Sequence, residues 1–502
     1  MKHTATFLVA CFAVAAVSAP AIAQTLSRAS VSSSGVESTA AGGFFNGSFY
    51  PSISDDGRYV VFQSNAGNLI DGEAVVGTHV YLRDRRLGVT TLVSRNPFGV
   101  PASGVSELPK ISGDGSTVVY QSAATDIVDG DSNASIDVFV WERTTSLTTR
   151  VSLDSSGAEA NSNSSDTYGP AISADGRYVA FTSTASNLVT IASGGVNRAH
   201  IYRHDRQTGG TIRVSVANGA ALTPGSLLST TPSISGDGNK VAFRSAASNL
   251  VTGDTNGISD VFVRTIGTSV TARVSVTSAG AQIVSGTVAE PSINRDGSSV
   301  VFTHTGNVTG TVTAQPNVYL RQITAGTTGR ISNQVVAASA GGCYTPTFSG
   351  NGNMIAFSSW DAGLVTGDTN GSEDVFVFDR TAGTMRRVSM AADGTQANLD
   401  SFSPAISFDG KVVAFDSGAS NLVAGDTNGV SDVFVLDSTP VIPTCLADVT
   451  GDSIVDGSDF VAFINSFSVG DAATDPVADV NHDLIIDGDD FVAFINAFGA
   501  GC

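Results

Sequence analysis

Two twelve-residue segments near the end of the chain carry oxygen-bearing side chains at the spacing of a cation-binding loop. The second segment begins 31 residues after the first. In each, positions 1, 3, 5, 9 and 12 bear oxygen donors, and position 7 offers a backbone carbonyl. The predicted ligands are Asp448, Thr450, Asp452, Ile454, Asp456 and Asp459 in one loop and Asp479, Asn481, Asp483, Ile485, Asp487 and Asp490 in the other. Because Ca²⁺ takes about six to eight hard oxygens, the pattern predicts two calcium ions.

Each of these EF-hand-type loops runs into a helical pattern. In the first, Phe460, Phe463, Ile464 and Phe467 fall at i, i+3, i+4 and i+7, and the pattern repeats from Phe491 to Phe498. The two apolar faces are therefore expected to pack together. Since the loop carboxylates repel one another without calcium, this α-helical domain is expected to unfold in a chelator. Ser453 and Leu484 stand where such loops usually have Gly, which strains the turn.

The duplicated loop–helix pattern without a preceding helix resembles a dockerin domain, over residues 445–502. The terminal Gly501-Cys502 is similar to a Gly-Cys-ending class of dockerins. The resemblance implies the calcium ligands named above and a cohesin-like protein partner. It implies contact through the helix faces and through loop positions 10 and 11, which are Gly457, Ser458, Gly488 and Asp489. The alternative is a calcium-stabilised cap with no partner.

The other end of the chain has the pattern of an export signal. Lys2 and His3 precede an apolar run, and Ala21-Ile22-Ala23 forms a cleavage site, so residues 1–23 are expected to be removed. The sequence predicts a secreted, extracellular or cell-surface protein without a membrane span. In an oxidising compartment, Cys445 and Cys502 are expected to form a disulfide around the acidic block. Cys343 is expected to be buried and unpaired.

Most of the remaining chain is one repeated pattern. Seven copies begin at Pro51, Pro109, Pro170, Pro232, Pro291, Pro346 and Pro404. A copy contains an Ile-Ser segment, an Asp-Gly turn, an apolar strand, a polar loop and a Val-Phe-Val strand, and most copies close with a fourth run. Four short β runs per repeat predict an all-β, seven-bladed β-propeller. We assign residues 24–437 to the propeller, 438–444 to a linker and 445–502 to the calcium-binding domain.

The seventh repeat lacks its fourth run, while a matching run, Ser27 to Val31, stands before the first repeat. The N-terminal strand is therefore expected to complete the last blade and close the ring. The repeated pattern Pro-x-Ile-Ser-x-Asp-Gly-x-x-Val-Ala-Phe resembles TolB-type propellers, relatives of WD-repeat blades, over residues 27–437. This resemblance implies a fold that serves as a binding platform or, with other residues, as an enzyme.

Four repeats carry Gly-Asp-x-Asn-x-x-x-Asp in the loop between their second and third strands. The residues are Asp131, Asn133 and Asp137; Asp254, Asn256 and Asp260; Asp368, Asn370 and Asp374; and Asp426, Asn428 and Asp432. They are candidates either for a partial calcium cage or for turn-capping side chains. The other repeats have His79, His200 or Asn317 in place of the last Asp, which favours a structural role.

The net charge of −20 excludes a nucleic-acid partner, since phosphate binding needs a basic surface. The sequence contains no nucleophile elbow, metalloprotease motif or phosphate loop, so no catalytic or cofactor-binding residue is assigned. The favoured function is binding of a protein or glycan by the propeller, with the C-terminal domain as anchor. The alternatives are a tethered polysaccharide hydrolase or lyase and a purely structural envelope protein.

Overall fold

The computed structural model describes most of the chain. The described residues are 24–39, 46–165, 167–190, 198–219, 222–310, 314–333, 341–438, 457–469, 491, 492, 494, 495 and 498. They divide into two units, one from Thr25 to Asp437 and one that contains the C-terminal residues from Ser438. Each unit is described by itself below.

The larger unit consists of 28 strands in seven four-stranded antiparallel sheets. Strand β1 spans Thr25–Arg28. Blade one has β2 (Ser48–Ile53), β3 (Tyr59–Ser64), β4 (His79–Asp84) and β5 (Val89–Leu92). Blade two has β6 (Ser106–Ile111), β7 (Thr117–Ser122), β8 (Asp137–Glu142) and β9 (Thr148–Arg150). Blade three has β10 (Ala171–Ile172), β11 (Tyr178–Ser183), β12 (His200–Asp205) and β13 (Gly210–Arg213).

The later blades repeat this order. Blade four has β14 (Ser229–Ile234), β15 (Lys240–Ser245), β16 (Asp260–Thr265) and β17 (Val270–Arg273). Blade five has β18 (Val288–Ile293), β19 (Ser299–His304), β20 (Asn317–Gln322) and β21 (Thr327–Arg330). Blade six has β22 (Cys343–Phe348), β23 (Met354–Ser359), β24 (Asp374–Asp379) and β25 (Thr384–Arg387). Blade seven has β26 (Ser401–Ile406), β27 (Val412–Ser417) and β28 (Asp432–Asp437). The predicted seven-bladed propeller is confirmed.

The turn between the first two strands of a blade is built by side chains that bond to nearby backbone. In blade four, Ser235 Oγ donates to Asp237 Oδ1 at 2.6 Å, and Asp237 accepts from the amide of Asn239 at 2.9 Å. Gly238 takes a φ of 68°, which a residue with a Cβ adopts at a cost. The Ser-x-Asp-Gly pattern therefore makes a tight hairpin turn.

Aromatic pairs between the second and third strands fill the middle of every blade. Phe62 and Tyr81 in blade one lie 5.8 Å apart between ring centroids, and Phe357 and Phe376 in blade six lie 6.0 Å apart. The repeated Phe positions were predicted as core and are at most 1% exposed; they are Phe62, Phe181, Phe243, Phe302, Phe357 and Phe415. Fully burying each ring contributes roughly 1.5–3 kcal/mol to stability.

Strand β1 completes the last blade, as predicted. It pairs antiparallel with β28, with Leu26 opposite Leu436 and Arg28 opposite Phe434. The pairing extends beyond the strand, because the amide of Ala29 donates to the carbonyl of Val433 at 2.7 Å. The ends of the propeller are thereby joined, and the last blade has its fourth strand.

The C-terminal unit contains helix α1, Gly457–Val469. Phe463 and Phe494 are both fully buried, and their rings stack with centroids 4.1 Å apart. Phe467 lies 5.8 Å from Phe491 between centroids, so aromatic residues of the two repeated segments contact each other. Among the described residues, no helix combines the length and hydrophobicity that crossing a bilayer requires. In the propeller, Cys343 is buried with a free thiol.

Candidate functional site

Of the twelve predicted calcium ligands, the structure describes Asp459 alone. This residue lies in the first turn of α1 with its side chain buried. At this position, the carboxylate is also stabilised by the positive end of the helix dipole. The other eleven lie outside the described residues, as do Cys445 and Cys502. Within the described part of the chain, no group of three or more His, Cys, Asp or Glu side chains is arranged to hold a metal ion.

The Asp-containing blade loops hold an arginine. In blade four, Arg273 Nη1 lies 3.1 Å from Asp254 and 3.4 Å from Asp260. In blade six, Arg387 Nη1 lies 2.9 Å from Asp368 and 3.2 Å from Asp374. Arg150 occupies the same position in blade two and Arg28 in blade seven. A guanidinium from the fourth strand thus neutralises the loop carboxylates. The repeated motif therefore has a structural role, which is to bind this arginine.

The Asn and the last Asp of the motif complete this cluster. Asn370 Nδ2 donates to Asp374 at 3.0 Å, and Ser389 Oγ donates to the other oxygen of Asp374 at 2.5 Å. Burial raises the pKa of Asp374, while the hydrogen bond from Ser389 and the charge of Arg387 lower it. Where His or Asn replaces the last Asp, the Ser contact persists, as between His200 Nδ1 and Ser215 Oγ at 3.2 Å.

The seven inner strands surround a central channel, each contacting the next around the ring. At one end, here called the narrow end, backbone hydrogen bonds join the turns of neighbouring blades. The amide of Gly236 donates to Arg295 at 2.8 Å, and the amide of Phe408 donates to Asp55 at 2.9 Å. A Cβ on Gly236 would lie 2.4 Å from Arg295 Cγ, so the turns meet too closely for a side chain there.

Side chains also cross the narrow end. Arg295 of blade five forms a salt bridge with Asp55 of blade one, across the channel axis. The guanidinium also lies over the ring of Phe408, with its carbon 5.2 Å from the ring centroid. Arg295 occupies a turn position that is Gly, Ala, Asp or Phe in the other repeats. The channel is therefore obstructed at this end, and a ligand would approach it from the opposite end.

The opposite end is here called the mouth. Toward it lie the residue before each repeat proline, on the inner strand, and a residue near the end of the second strand. The pre-proline residues are Tyr50, Leu108, Gly169, Thr231, Glu290, Thr345 and Ser403, and the second-strand residues are Gln63, Gln121, Thr182, Arg244, Thr303, Ser358 and Asp416. All seven pre-proline residues have positive φ, including Glu290 at 54° and Thr345 at 48°. This conformation costs roughly 1–3 kcal/mol for a non-glycine residue.

The pairing between the first two strands is interrupted by a β-bulge at most of these pre-proline residues. At three of them, the backbone amide donates to a polar side chain of a neighbouring blade. The amide of Leu108 donates to Gln63 Oε1 at 2.8 Å, and that of Tyr50 donates to Asp416 Oδ1 at 3.2 Å. The amide of Thr345 donates to Glu290 Oε2 at 2.7 Å. Mouth residues therefore set the contacts between blades as well as the lining of the channel.

Buried charges lie along the channel. Asp416 is 2% exposed, and burial raises its pKa to about 6. Burial lowers the pKa of Lys110, which lies on an inner strand just beyond its pre-proline residue. Arg244 Nε is buried and, among the described residues, has no hydrogen-bond acceptor. Charges of both signs therefore lie along the channel from its mouth inward, with Lys110 on the side of the narrow end, at a cost in folding stability.

These channel residues were not identified from the sequence as candidates for a functional site. The available signal was departure from the repeat: Lys110 stands where other copies have Ser, Thr or Ala, and Asp416 where they have Gln, Thr, Arg or Ser. In a propeller, residues from blades that are distant in sequence meet at the axis. The repeat spacing shows which positions are equivalent, but their common location becomes visible only in the closed ring.

No family model matches the chain, and no curated protein matches it. Among solved structures, it is similar to an oligogalacturonate lyase from Vibrio parahaemolyticus, at 12% identity over 83% of this chain and 97% of that one, with a TM-score of 0.49. The propeller domain of the Trilobed protease from Pyrococcus furiosus matches at 10% identity over 79% and 96%, with a TM-score of 0.48. A putative TolB from Agrobacterium tumefaciens matches at 16% identity over 69% and 92%, with a TM-score of 0.38. The seven sheets of this chain establish its own class, the seven-bladed β-propellers.

Proposed function

We propose that this protein is an exported binding protein, whose propeller holds a protein or glycan ligand at the mouth of the channel. The observation that carries the proposal is the contrast between the two ends of the channel. Arg295 and Asp55 neutralise each other at the narrow end. Lys110, which lies in the channel between the two ends, and Arg244, at the mouth, have no carboxylate within ion-pairing distance among the described residues. Charged side chains that do not stabilise the fold are expected at places where a ligand binds.

The second part of the proposal is that residues 445–502 form a calcium-dependent, dockerin-like anchor. Its support is the duplicated set of oxygen donors in the sequence. The repeated segments also present equivalent apolar side chains to solvent. Val461 and Ile464 are 57% and 36% exposed, and their counterparts Val492 and Ile495 are 55% and 39% exposed. Four exposed aliphatic side chains on so small a unit suit contact with a cohesin-like protein.

A sedimentation experiment tests the anchor. The full mature chain is mixed with insoluble extracellular material of the source organism, in calcium or in EDTA. We expect co-sedimentation in calcium alone, and its loss in a double variant, Asp452→Asn with Asp483→Asn. The matched control is Asp471→Asn with Asp475→Asn, which removes the same charge from between the loops. Equal sedimentation in calcium and EDTA would refute the anchor, and a stable cap without a partner would then remain.

The alternative function is polysaccharide cleavage, favoured by two carboxyl groups near the mouth. Burial raises the pKa of Asp416 to about 6 and that of Glu373 to about 7, values suited to proton transfer near neutral pH. The test is release of reducing or unsaturated ends from polysaccharides by the full mature chain. Turnover that is lost in both Asp416→Asn and Glu373→Gln would favour the enzyme over the binding protein.

A further inference from the structure

Three departures from the repeat pattern converge where blades five and six meet the mouth. Trp360 follows the second strand of blade six, at a position that is Asn, Ala, Thr or Gly in the other blades. Glu373 precedes the third strand, where the others have Thr, Ile, Ala, Ser or Pro. Among the seven residues that precede a repeat proline, Glu290 is the acidic one. Because the blades share one backbone design, substitutions gathered at one place point to a local role beyond folding.

Hydrogen bonds and close electrostatic contacts connect these residues into one network. Glu290 Oε1 accepts from Tyr168 Oη at 3.3 Å, and Glu290 Oε2 accepts from the amide of Thr345 at 2.7 Å. Thr345 Oγ1 lies 3.3 Å from Ser358 Oγ. The side chain of Ser358 also lies close enough to Glu373 to lower the pKa of its carboxyl group. Side chains from blades three, five and six are therefore held together at the mouth.

Hydrogen bonds to both the amide and the carbonyl of Glu373 hold its backbone in place. Its amide donates to Asp400 Oδ1 at 2.9 Å, and its carbonyl accepts from the amide of Ser401 at 2.8 Å. Burial raises the pKa of the carboxyl group to about 7, and the side chains of Ser358 and Trp360 lie close enough to oppose that rise. Burial also raises the pKa of Glu290. Near neutral pH, Glu373 therefore holds a proton part of the time and can then both donate and accept a hydrogen bond.

Aromatic faces flank the two acids. Trp360 is 43% exposed and lies beside Glu373, and Tyr168 is 41% exposed although its hydroxyl donates to Glu290. The hydroxyl of Tyr168 is thus held by an acid, while much of each ring remains in contact with solvent. The chain's other tryptophan, Trp141, is 5% exposed and belongs to the core. The combination is an aromatic surface of fixed orientation beside protonatable carboxyl groups.

We propose that this cluster binds a neutral carbohydrate chain, an inference that rests on the proposed ligand-binding mouth. A sugar ring offers an apolar C–H face, which packs on an aromatic ring, and hydroxyl groups that both donate and accept. Trp360 and Tyr168 supply the first contact, and Glu290 and Glu373 supply the second. A polyanionic chain is disfavoured because the protein carries a net charge of −20 and the cluster itself is acidic.

Tryptophan fluorescence provides the test, since Trp360 is exposed and Trp141 serves as an internal reference. The full mature chain is titrated with cellohexaose, xylohexaose, mannohexaose and laminarihexaose, and with polygalacturonate and a Lys-rich peptide for comparison. We expect at least one neutral hexasaccharide to shift the emission, and Trp360→Phe to abolish that shift. By calorimetry, Trp360→Ala is expected to weaken binding about tenfold or more, a loss of at least about 1.4 kcal/mol. The matched control is Phe98→Ala, which removes an aromatic ring outside the cluster that is 86% exposed.

The role of the acids has its own readout. Affinity is expected to fall as the pH rises through about 7, because Glu373 then loses the proton that it donates. Glu373→Gln keeps a donor and an acceptor, so its affinity is expected to be independent of pH in this range. Tyr168→Phe removes one hydroxyl and is expected to weaken binding by a few-fold.

The outcomes separate this inference from the proposed function. Binding of polygalacturonate or the peptide that depends on Trp360 would overturn the neutral-carbohydrate class and retain the mouth as the binding site. Hexasaccharide binding that is unchanged in Trp360→Ala and Glu373→Gln would overturn the site. No binding of any hexasaccharide up to millimolar concentration would overturn the inference, while the calcium-dependent sedimentation would still test the anchor.

Discussion

Ser30 Oγ donates a 2.5 Å hydrogen bond to Asp432 Oδ1, joining residues 402 positions apart in the sequence. The same serine accepts a hydrogen bond from the amide of Val433 at 3.0 Å. Equivalent contacts occur inside blade six, where Ser389 binds Asp374 and accepts from Val375. The ring is therefore closed by the same contacts that hold the fourth strand in the other blades.

Because these contacts are equivalent, we can predict the effect of replacing Arg28, the arginine of the blade that closes the ring. Arg28→Met and Arg387→Met each remove the guanidinium from the same kind of cluster, but Arg387 lies on a strand tethered by a hairpin. We expect similar losses of unfolding free energy, about 3 kcal/mol each, because both leave buried carboxylates without a cation. Only Arg28→Met should speed hydrogen exchange in its own fourth strand, residues 25–31. Exchange that is equally fast in residues 384–389 of Arg387→Met would contradict this prediction.

A second prediction concerns the contribution to stability of the arginine that each Asp-containing blade loop binds. Arg273→Gln should destabilise the propeller by about 3 kcal/mol in denaturant unfolding, since Asp254 and Asp260 then repel each other. The control is Arg213→Gln in blade three, where the arginine donates to Tyr202 Oη at 3.0 Å and the expected loss is about 1 kcal/mol. Replacing Asp254 and Asp260 with Asn as well should restore part of the loss from Arg273→Gln. A larger effect at Arg213 would contradict the assignment.

A third prediction follows from Asp416. Its folded-state pKa of about 6 lies above the ordinary value of 3.8, so the native protein binds the proton more tightly than the unfolded chain. The stability from this group is fully present below about pH 4 and is lost as the pH rises to about 6, by at most about 3 kcal/mol. Asp416→Asn keeps an acceptor for the amide of Tyr50 and should flatten this part of the curve. Denaturant unfolding between pH 4 and pH 7 measures the difference, and an unchanged slope would exclude Asp416 as the source.

A fourth prediction separates the two units by their response to metal removal. In scanning calorimetry of the full chain, EDTA should lower the transition of the C-terminal unit, because its loop carboxylates then repel one another. The propeller transition should stay in place, since its loop carboxylates are held by arginines. Asp452→Asn with Asp483→Asn should reproduce the effect of EDTA. A chelator effect on the propeller transition would show that metal binds in the blades as well.

The sequence was sufficient to predict the propeller because each blade is a local structure. The Ser-x-Asp-Gly turn, the aromatic pair and the four strands all lie within about sixty residues, and seven copies repeat the same pattern. The missing seventh run and the spare run at Ser27 likewise predicted the closure, which β1 and β28 confirm. In the blade loops, the motif was visible, but its arginine partner lies on a different strand and was not assigned.

The mouth and its carbohydrate-binding cluster could not be derived in this way. Tyr168, Glu290 and Glu373 belong to three blades, and no spacing along the chain indicates that their side chains share one network. The pKa values of Glu373 and Asp416 are raised by burial, which depends on the packing of neighbouring blades.

By itself, then, the sequence determined the number of blades and the closing strand, because both follow from repeats and fixed spacings. The twelve calcium ligands that it predicts from the same kind of spacing stay a prediction. The tertiary structure alone decided that Arg28, Arg150, Arg273 and Arg387 fill the blade loops and that Arg295 obstructs the narrow end. It also decided that the exposed Trp360 lies beside the buried acid Glu373 at the mouth. The physical reason is that contacts between strands and between blades set burial, charge pairing and access, and these contacts exist only once the ring has closed.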